Sequence, residues 1–289
     1  MPLTSKQKKP SWLKVKIDIN DNYKYLTNML KDQNLNTVCS EARCPNIYEC
    51  WSRRTATIMI LGDTCTRACG FCSVKTGRGL TVDKAEPLNT AVAVKKMNLK
   101  HVVITSVDRD DLKDDYGAEI WSATVFNTRS LNPKCTIEIL TTDFKGFKPS
   151  LDKVFSSKPD IFSHNIECVE RISKSVRAQA VWQRSKDVLN ASVDYGLITK
   201  TGMMVGLGEQ DEEVYKTMDE MIELGVSIFN IGQYLQPTKK HLKVDRYVTP
   251  DQFLKFKEYG LSLGFKVVES GPLVRSSYMA DKQAQEIKV

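Results

Sequence analysis

The sequence is poor in histidine. It has three, His101, His164 and His241, at no spacing that would gather them on one metal. No Ser-His-Asp set, no phosphate-cradling glycine loop and no paired-carboxylate site stands out, so hydrolytic, nucleotide-transferring and glycosidic chemistries lack their residues. No apolar run approaches the ~20 residues needed to cross a bilayer. The N-terminus is polar and lysine-rich, without the apolar stretch of a secretory signal, and arginine and serine are too sparse there for a transit segment. Short internal repeats and low-complexity tracts are also missing. These absences predict a soluble, cytoplasmic protein in a reducing compartment, with no membrane partner.

The excess charge is small: 42 basic and 35 acidic residues give +7. Most of it lies near the N-terminus, in Lys6, Lys8, Lys9, Lys14 and Lys16. A basic arm can bind nucleic acid or speed the approach of an acidic protein. Without interleaved aromatics or a nucleic-acid motif, a solvated tail is the favoured reading and no nucleic-acid partner is expected.

Cysteine is what the chain does have. Six of its eight cysteines fall between Cys39 and Cys72, in two groups of three. Cys39, Cys44 and Cys50 are separated by four and five residues, and Cys65, Cys69 and Cys72 by three and two. Between the groups runs Thr55-Ala-Thr-Ile-Met-Ile-Leu61, which reads as a buried strand. The spacing is too dense for an extracellular disulfide scaffold of this length. A structural zinc and a cubane [4Fe–4S] cluster each want four ligands. A triplet therefore leaves one metal position for another ligand, and zinc with a distant fourth ligand stays open on spacing alone. Cys135 and Cys168 stand apart from both groups and are expected to be buried packing residues.

From residue 55 the pattern repeats strand, loop and helix. Candidate strands are 56–61, 102–106, 136–141, 160–164, 198–205 and 227–232, short, apolar and often β-branched, as buried parallel strands are. Helical stretches lie near 87–98, 114–130, 167–177, 183–195 and 211–224. The fold class is α/β: a partial (β/α)6 TIM-like barrel with N-terminal and C-terminal extensions, its chemistry on the rim where the strands end. One compact domain is expected, with residues 1–54 as an arm and first-triplet segment, 55–249 as the barrel and 250–289 as the C-terminal extension. The arm should wrap the body, and 21–32 form a short helix with Tyr25, Leu26, Met29 and Leu30 on one face. The extension carries a helix at 250–259, a strand near 265–269 and a final helix from about Tyr278, which Ser276 or Ser277 could cap.

Several segments resemble the lipoyl synthase family, in the radical S-adenosylmethionine superfamily. They are Cys39-Ser-Glu-Ala-Arg-Cys-Pro-Asn-Ile-Tyr-Glu-Cys-Trp51, Leu61-Gly-Asp-Thr-Cys-Thr-Arg-Ala-Cys-Gly-Phe-Cys72, Thr105-Ser-Val-Asp-Arg-Asp-Asp-Leu112, Gly206-Leu-Gly-Glu209, Gly232-Gln-Tyr-Leu-Gln-Pro-Thr238 and Arg275-Ser-Ser-Tyr278. The second triplet alone would point only to the superfamily. The first triplet together with the arginine–serine–serine–tyrosine segment is specific.

The resemblance implies two [4Fe–4S] clusters and S-adenosylmethionine. Cys65, Cys69 and Cys72 would hold the cluster that binds and reductively cleaves S-adenosylmethionine, and the resulting 5′-deoxyadenosyl radical would take hydrogen from an unactivated carbon. Cys39, Cys44 and Cys50, with Ser277 as an oxygen ligand, would hold an auxiliary cluster consumed as the sulfur donor. An oxygen is a poorer match than thiolate for such a centre. The product would be sulfur at C6 and C8 of an octanoyl group on a lysine of a lipoyl domain or glycine-cleavage carrier protein. A reductant such as ferredoxin or flavodoxin and an iron–sulfur cluster donor follow as partners. By the same resemblance Ser106 and Asp108 would meet the methionine amine, Asn165 and Glu167 the ribose, Arg184 the methionine carboxylate, and Gly206 and Leu207 the adenine. From the residues alone, Asn165 and Glu167 could equally cap a helix, and Arg184 could be a surface residue.

Two departures stand out. Asp115-Tyr116-Gly117-Ala118 has tyrosine where the family has glycine, which predicts an altered loop, because tyrosine enters the left-handed region only at a cost. Thr141-Thr-Asp-Phe-Lys-Gly146 lacks the usual proline. The competing readings are another radical enzyme with an auxiliary cluster and a non-catalytic metal-cluster binding protein.

Overall fold

The computed structural model describes residues 9–14, 19–21, 24, 27, 37, 44, 46–52, 55 and 57–287. Cys39, Lys6, Lys8, Lys16 and the apolar face expected on a helix at 21–32 lie outside the described residues. Within the arm, Ser11–Leu13 forms a single 3-10 turn that buries Leu13.

Seven parallel strands form one sheet in strict chain order. They are β1 (Thr57–Ile60), β2 (His101–Ser106), β3 (Thr136–Leu140), β4 (Ile161–Ser163), β5 (Thr199–Val205), β6 (Ile228–Gln233) and β7 (Val267–Gly271). Helices among the described residues include α1 (Ile47–Ser52), α2 (Glu86–Met97), α3 (Ala118–Leu131), α4 (Lys148–Ser156), α5 (Glu170–Val176), α6 (Trp182–Asp194), α7 (Asp211–Glu223), α8 (Pro250–Leu263) and α9 (Ala280–Glu286). Sequential order with helical crossovers is the partial-barrel topology. β1 and β7 are not paired with each other, so the barrel is open.

Six of the strands match the six sequence candidates to within a residue or two. The seventh is the stretch assigned to the C-terminal extension. It follows α8 as every other strand follows a helix, and pairs with β6 from Ile228↔Val267 to Gly232↔Gly271. The barrel therefore continues past residue 249. The sequence pattern also passes over α4, whose second residue is Pro149. Proline is tolerated in a first turn, where no intrahelical N–H is needed, and the short helix still buries Leu151, Val154 and Phe155 on one face. Helix α7 ends as its sequence suggests, with a capping box between Gln210 and Glu213, acidic residues 211–213 in its first turn and left-handed Gly225 just beyond it.

Alternation along the strands sorts the two faces. Ile58, Ile60, Val102, Ile104, Ile137, Ile139 and Phe162 pack into one core with residues of α2, α3, α4 and α6, among them Val94, Trp121, Val125, Phe155 and Val188. The alternate residues face inward and include a buried polar set: Lys200 Nζ lies 2.8 Å from Glu138 Oε1, and His101 Nε2 lies 3.6 Å from Glu138 Oε2. Cys135 and Cys168 are buried, as expected.

The chain beyond β7 turns into this interior. Val274 carbonyl sits so close to Gly232 that a Cβ at that position would overlap it. Ala284 of α9 joins Ile161, Ile228 and Val267 in a small apolar cluster. The last helix starts at Ala280 with Met279 as its N-cap and no side-chain cap, so neither Ser276 nor Ser277 caps it. Both serines are engaged elsewhere.

The loop after β2 keeps its left-handed geometry in spite of the tyrosine. Tyr116 has φ +53° and Gly117 φ +86°. Tyr116 N–H donates to the Leu112 carbonyl at 2.8 Å, and its ring meets Phe147 edge-on at 6.1 Å between centroids. Those contacts offset a strain that glycine would not carry.

Candidate functional site

The second triplet lies just past β1, on the rim where the parallel strands end. Cys65 Sγ accepts N–H groups from Arg67 at 3.5 Å and Asp108 at 3.3 Å. The loop is stitched to its neighbours at four further points. Thr66 N–H donates to the Asp108 carbonyl at 2.9 Å, Gly70 N–H to Val176 at 2.9 Å, Leu242 N–H to Gly70 at 3.0 Å, and Cys72 carbonyl meets His241 Nε2 at 2.9 Å. Leu242 packs where a Cβ on Gly70 would stand, so this glycine gives the covering loop its close approach.

Arg67 is the hub of the loop. Its side chain is 4% exposed and meets three carboxylates: Asp110 through two 2.9 Å bonds, Asp143, and Asp108 at 3.2 Å. Lys145 then pairs with Asp110 at 2.8 Å and Arg184 with Asp143 at 3.1 Å. Burial alone would weaken the Arg67 charge, but Asp110, Asp108 and Asp143 together hold it above its ordinary pKa. Burial works against the Asp143 carboxylate too, yet Arg67 holds it well below the usual range.

The three thiols differ from ordinary nucleophilic cysteines. Burial pushes Cys65 up to about 11 and Cys69 up to about 12, and raises Cys72. Asp108 and Glu167 push Cys69 further the same way. Such thiols stay protonated at neutral pH unless a metal displaces the proton, and a soft iron–sulfur centre suits them as donors. Among the described residues, no group of three His, Cys, Asp or Glu side chains is drawn tightly enough together for one metal ion. A cubane distributes its cysteines over separate irons, so its donors stand farther apart than those of mononuclear zinc.

The other expected contacts ring the same rim. Ser106, at the end of β2, donates its hydroxyl to the Val107 carbonyl at 2.9 Å. Burial raises the Asp108 carboxyl to about 6, with Arg67 acting the other way. Just after β4, Asn165 Nδ2 donates to Glu167 Oε1 at 3.1 Å, and Asn165 Oδ1 is buried without a partner. Glu167 holds φ +66° and bridges to Met203 of β5. Helix α5 begins at Glu170 with Val169 as N-cap and no side-chain cap, so Asn165 and Glu167 are not capping it. Arg184, 25% exposed on α6, is tied to Asp143. The Gly206–Leu207 turn donates both its N–H groups to buried Glu209, at 2.7 and 2.9 Å. Gly206 has φ +93°, and a Cβ there would overlap Gln233 Nε2 and the Arg246 carbonyl.

Cys44 and Cys50 of the first triplet lie at the start of β1. Cys44 and Cys50 line a recess together with Thr57, Arg275, Ser277 and Tyr278. Cys50 sits in α1, whose buried Trp51 anchors it against the main core. Thr37 makes an isolated antiparallel bridge to Ile58 of β1. Ser277 comes from the far end of the sequence, 220 positions beyond Thr57, whose Oγ1 donates to its Oγ at 2.9 Å. One strand thus links the sites: Thr57 opens β1 at the recess and Cys65 follows its other end.

Sequence reasoning passed over Arg67, Asp110, Asp143 and His241, as well as Thr57. The run Asp108-Arg-Asp-Asp111 was a usable signal, because so many carboxylates at one strand end require a buried cation. Asp143 and Thr57 carried no local sign.

Comparison with known proteins fits this geometry. The Radical SAM superfamily model matches residues 59–221, and the model for the N-terminal domain of lipoyl synthase matches residues 2–44. The chain is 52% identical over 275 residues to a lipoyl synthase of Flavobacterium johnsoniae, covering 95% of each chain. It is 53% identical over 279 residues to one of Oceanobacillus iheyensis, covering 96% of this chain and 88% of that one. Among solved structures, it superposes on Streptococcus suis SuiB bound to S-adenosylmethionine with TM-score 0.59 at 12% identity, over 79% of this chain and only 54% of that one. On methylornithine synthase the TM-score is 0.51 at 13% identity, over 88% and 83%. These structural likenesses speak for the fold alone. The sequence matches go further, running at about half identity through both cysteine triplets and nearly the full length of both chains, and on them the chain belongs to the lipoyl synthase family of the Radical SAM superfamily.

Proposed function

We propose that this enzyme inserts two sulfur atoms, at C6 and C8, into an octanoyl group carried on a lysine of a lipoyl carrier protein. The observation that carries the reading is the meeting of Cys44, Cys50 and Ser277 in one recess, on the strand that leads into the Cys65 loop. When bound, a [4Fe–4S] cluster on Cys65, Cys69 and Cys72 supplies the electron that cleaves S-adenosylmethionine to a hydrogen-abstracting radical, and a second on Cys39, Cys44, Cys50 and Ser277 supplies sulfur.

The chain's own residues do the positioning. Asp108 and Glu167 place two carboxyls beside the thiols, partly balanced by Arg67 and Arg177, to meet the sulfonium and ammonium charges of S-adenosylmethionine. Ser106 extends that edge. Asn165 offers an unpartnered buried oxygen to a ribose hydroxyl. Arg184 pairs with Asp143 through Nη1 and would meet a carboxylate with its remaining donors, and the Gly206–Leu207 backbone would offer a surface to adenine. Arg67 locks the loop so that the reacting carbon and the radical source keep one geometry, on which hydrogen abstraction from a methylene depends. Asp115 and Ser150 hold the Tyr116 loop shut beside them, through Gly117 N–H at 2.9 Å and the Asp115 carbonyl at 2.8 Å.

The reading also implies an octanoylated lipoyl domain or glycine-cleavage carrier protein, an external reductant of the ferredoxin or flavodoxin kind, and a donor that rebuilds the sulfur-supplying cluster. No helix among the described residues is long and apolar enough to cross a membrane. The test is anaerobic. Reconstituted enzyme, dithionite and S-adenosylmethionine are mixed with an octanoyl-lysine peptide, which is then followed by mass spectrometry. A gain of two sulfurs with accumulation of 5′-deoxyadenosine is expected. Deoxyadenosine without sulfur on either the peptide or an octanoylated carrier protein would reject the reading.

A further inference from the structure

Ser276 and Ser277 are the two central residues of a turn closed by Tyr278 N–H donating to the Arg275 carbonyl at 2.9 Å. Neighbouring side chains in a turn point apart, and these two reach different sites. Ser277 Oγ accepts from Thr57 in the recess with Cys44 and Cys50. Ser276 Oγ accepts from Asn165 Nδ2 at 2.6 Å, on the rim beside Glu167. The turn backbone is clamped from two further elements. Asn230 of β6 donates to the Ser276 carbonyl at 2.9 Å and the Arg275 carbonyl at 3.3 Å, and Gln283 of α9 donates to Tyr278 at 3.0 Å. A displacement of one serine is therefore transmitted to the other.

We propose that Ser276 is a positioning residue that couples occupancy of the S-adenosylmethionine site to the seating of Ser277 in the sulfur-donor recess. The inference rests on the reading of Ser277 as a cluster ligand and of Asn165 as a ribose contact. Asn165 spends both amide hydrogens, one on Glu167 and one on Ser276, while its buried oxygen has no partner. A ligand hydroxyl donating to that oxygen polarises the amide and strengthens the bond to Ser276, as linked hydrogen bonds do. The turn is then held more firmly, and Ser277 with it. The ligand that starts the radical step thereby fixes the sulfur source in register.

The primary readout is not activity. Hydrogen exchange of the peptide spanning residues 273–280 is compared in the reconstituted enzyme with and without S-adenosylmethionine. The parent enzyme should exchange several-fold more slowly there when the ligand is bound; an unchanged rate overturns the proposal without any variant. In Ser276→Ala that slowing should disappear while the Cys65–Cys72 loop still gains protection; retained slowing overturns it as well. Deoxyadenosine formation in Ser276→Ala should stay within about twofold of the parent. Deoxyadenosine formed per sulfur inserted should rise about fivefold, the factor one ordinary hydrogen bond supports, and Ser276→Thr should restore it. Mössbauer spectra of Ser277→Ala separate the two failures. An unchanged iron site there sinks the ligand reading on which the proposal stands, whereas a changed site with ligand-independent exchange in the parent sinks the coupling alone.

Discussion

The two cysteine sites sit on one barrel but are held in opposite ways. The Cys65–Cys72 loop is bolted down by charge: Arg67 with three aspartates, braced by Lys145 and Arg184. The recess with Cys44 and Cys50 is closed by a threonine-to-serine hydrogen bond and a turn borrowed from the C-terminus, with Arg275 the one charged side chain among its described lining residues. A buried ion-pair lattice is costly to disturb, because each charge left alone keeps its desolvation penalty. A hydroxyl contact can open at about the cost of one hydrogen bond. On the proposed function, the stiff frame would suit a centre retained through every turnover, and the soft one a centre taken apart and rebuilt.

The comparison breaks most sharply at the cysteines. Changing Cys65, Cys69 and Cys72 together to alanine should abolish deoxyadenosine formation. Changing Cys39, Cys44 and Cys50 should leave measurable cleavage and stop sulfur insertion, and a folded pair of variants that lost cleavage equally would erase the division. Ser277→Ala should keep deoxyadenosine formation and lose most doubly thiolated product by mass spectrometry; full product would remove Ser277 from the recess chemistry.

Next in size is Arg67. Arg67→Ala leaves Asp108, Asp110 and Asp143 facing one another in a buried site. A loss of about 3–5 kcal/mol in urea unfolding is expected, with poor retention of iron on the rim. Arg67→Lys keeps the charge but not the fork that meets Asp110 through two nitrogens, and should recover only part of the loss.

His164 sharpens the contrast through pH. It is buried at the end of β4, with Nδ1 at 3.0 Å from the Thr141 carbonyl and Nε2 at 3.1 Å from Ser185 Oγ. Burial lowers it to about 4, with Asp143 pulling the other way. At this site the folded state thus binds fewer protons than the unfolded chain between about 4 and about 6.5, and His164 contributes stability that rises with pH across that window. Asp108, raised to about 6, acts with the opposite sign over part of this window, so His164's share, about 2 kcal/mol, is read as the difference between the parent and His164→Gln in the change of urea midpoint from pH 4.5 to 7. Asp143, held low by Arg67, contributes with the same sign but only at lower pH, where its carboxylate is protonated. The smallest effect belongs to the recess. Thr57→Val removes the donor to Ser277 and should cost about 1 kcal/mol, with a steeper effect on sulfur insertion than on cleavage.

What could be read in advance follows the same division. The Cys65–Cys72 spacing, the strand before it and the repeating strand–helix pattern are local, and local periodicity locates elements well. The seventh strand was visible as a strand but not as part of the sheet, because Gly271-Pro272 ends it in a turn and the chain then folds inward. That Ser277 would come beside Cys44 and Cys50 was suggested only by the family's motif; its local setting reads as a helix cap, and the helix begins later, at Ala280. The Arg67 hub was out of reach for a different reason. Its partner Asp143 is 76 residues away and comes near only when β2 and β3 end side by side. Tyr116 shows the limit of a propensity rule: a left-handed tyrosine is costly, but packing against Phe147 and a backbone hydrogen bond hold it there.

The division of labour between the two sites is tested most directly by electron paramagnetic resonance of the reduced, reconstituted protein, with and without S-adenosylmethionine. Two cluster signals are expected, of which one shifts when S-adenosylmethionine is added. The shifting signal should be lost when Cys65, Cys69 and Cys72 are replaced and kept when Cys39, Cys44 and Cys50 are replaced. A ligand-sensitive signal that survives the first set of replacements, or vanishes with the second in a folded protein, would contradict the account.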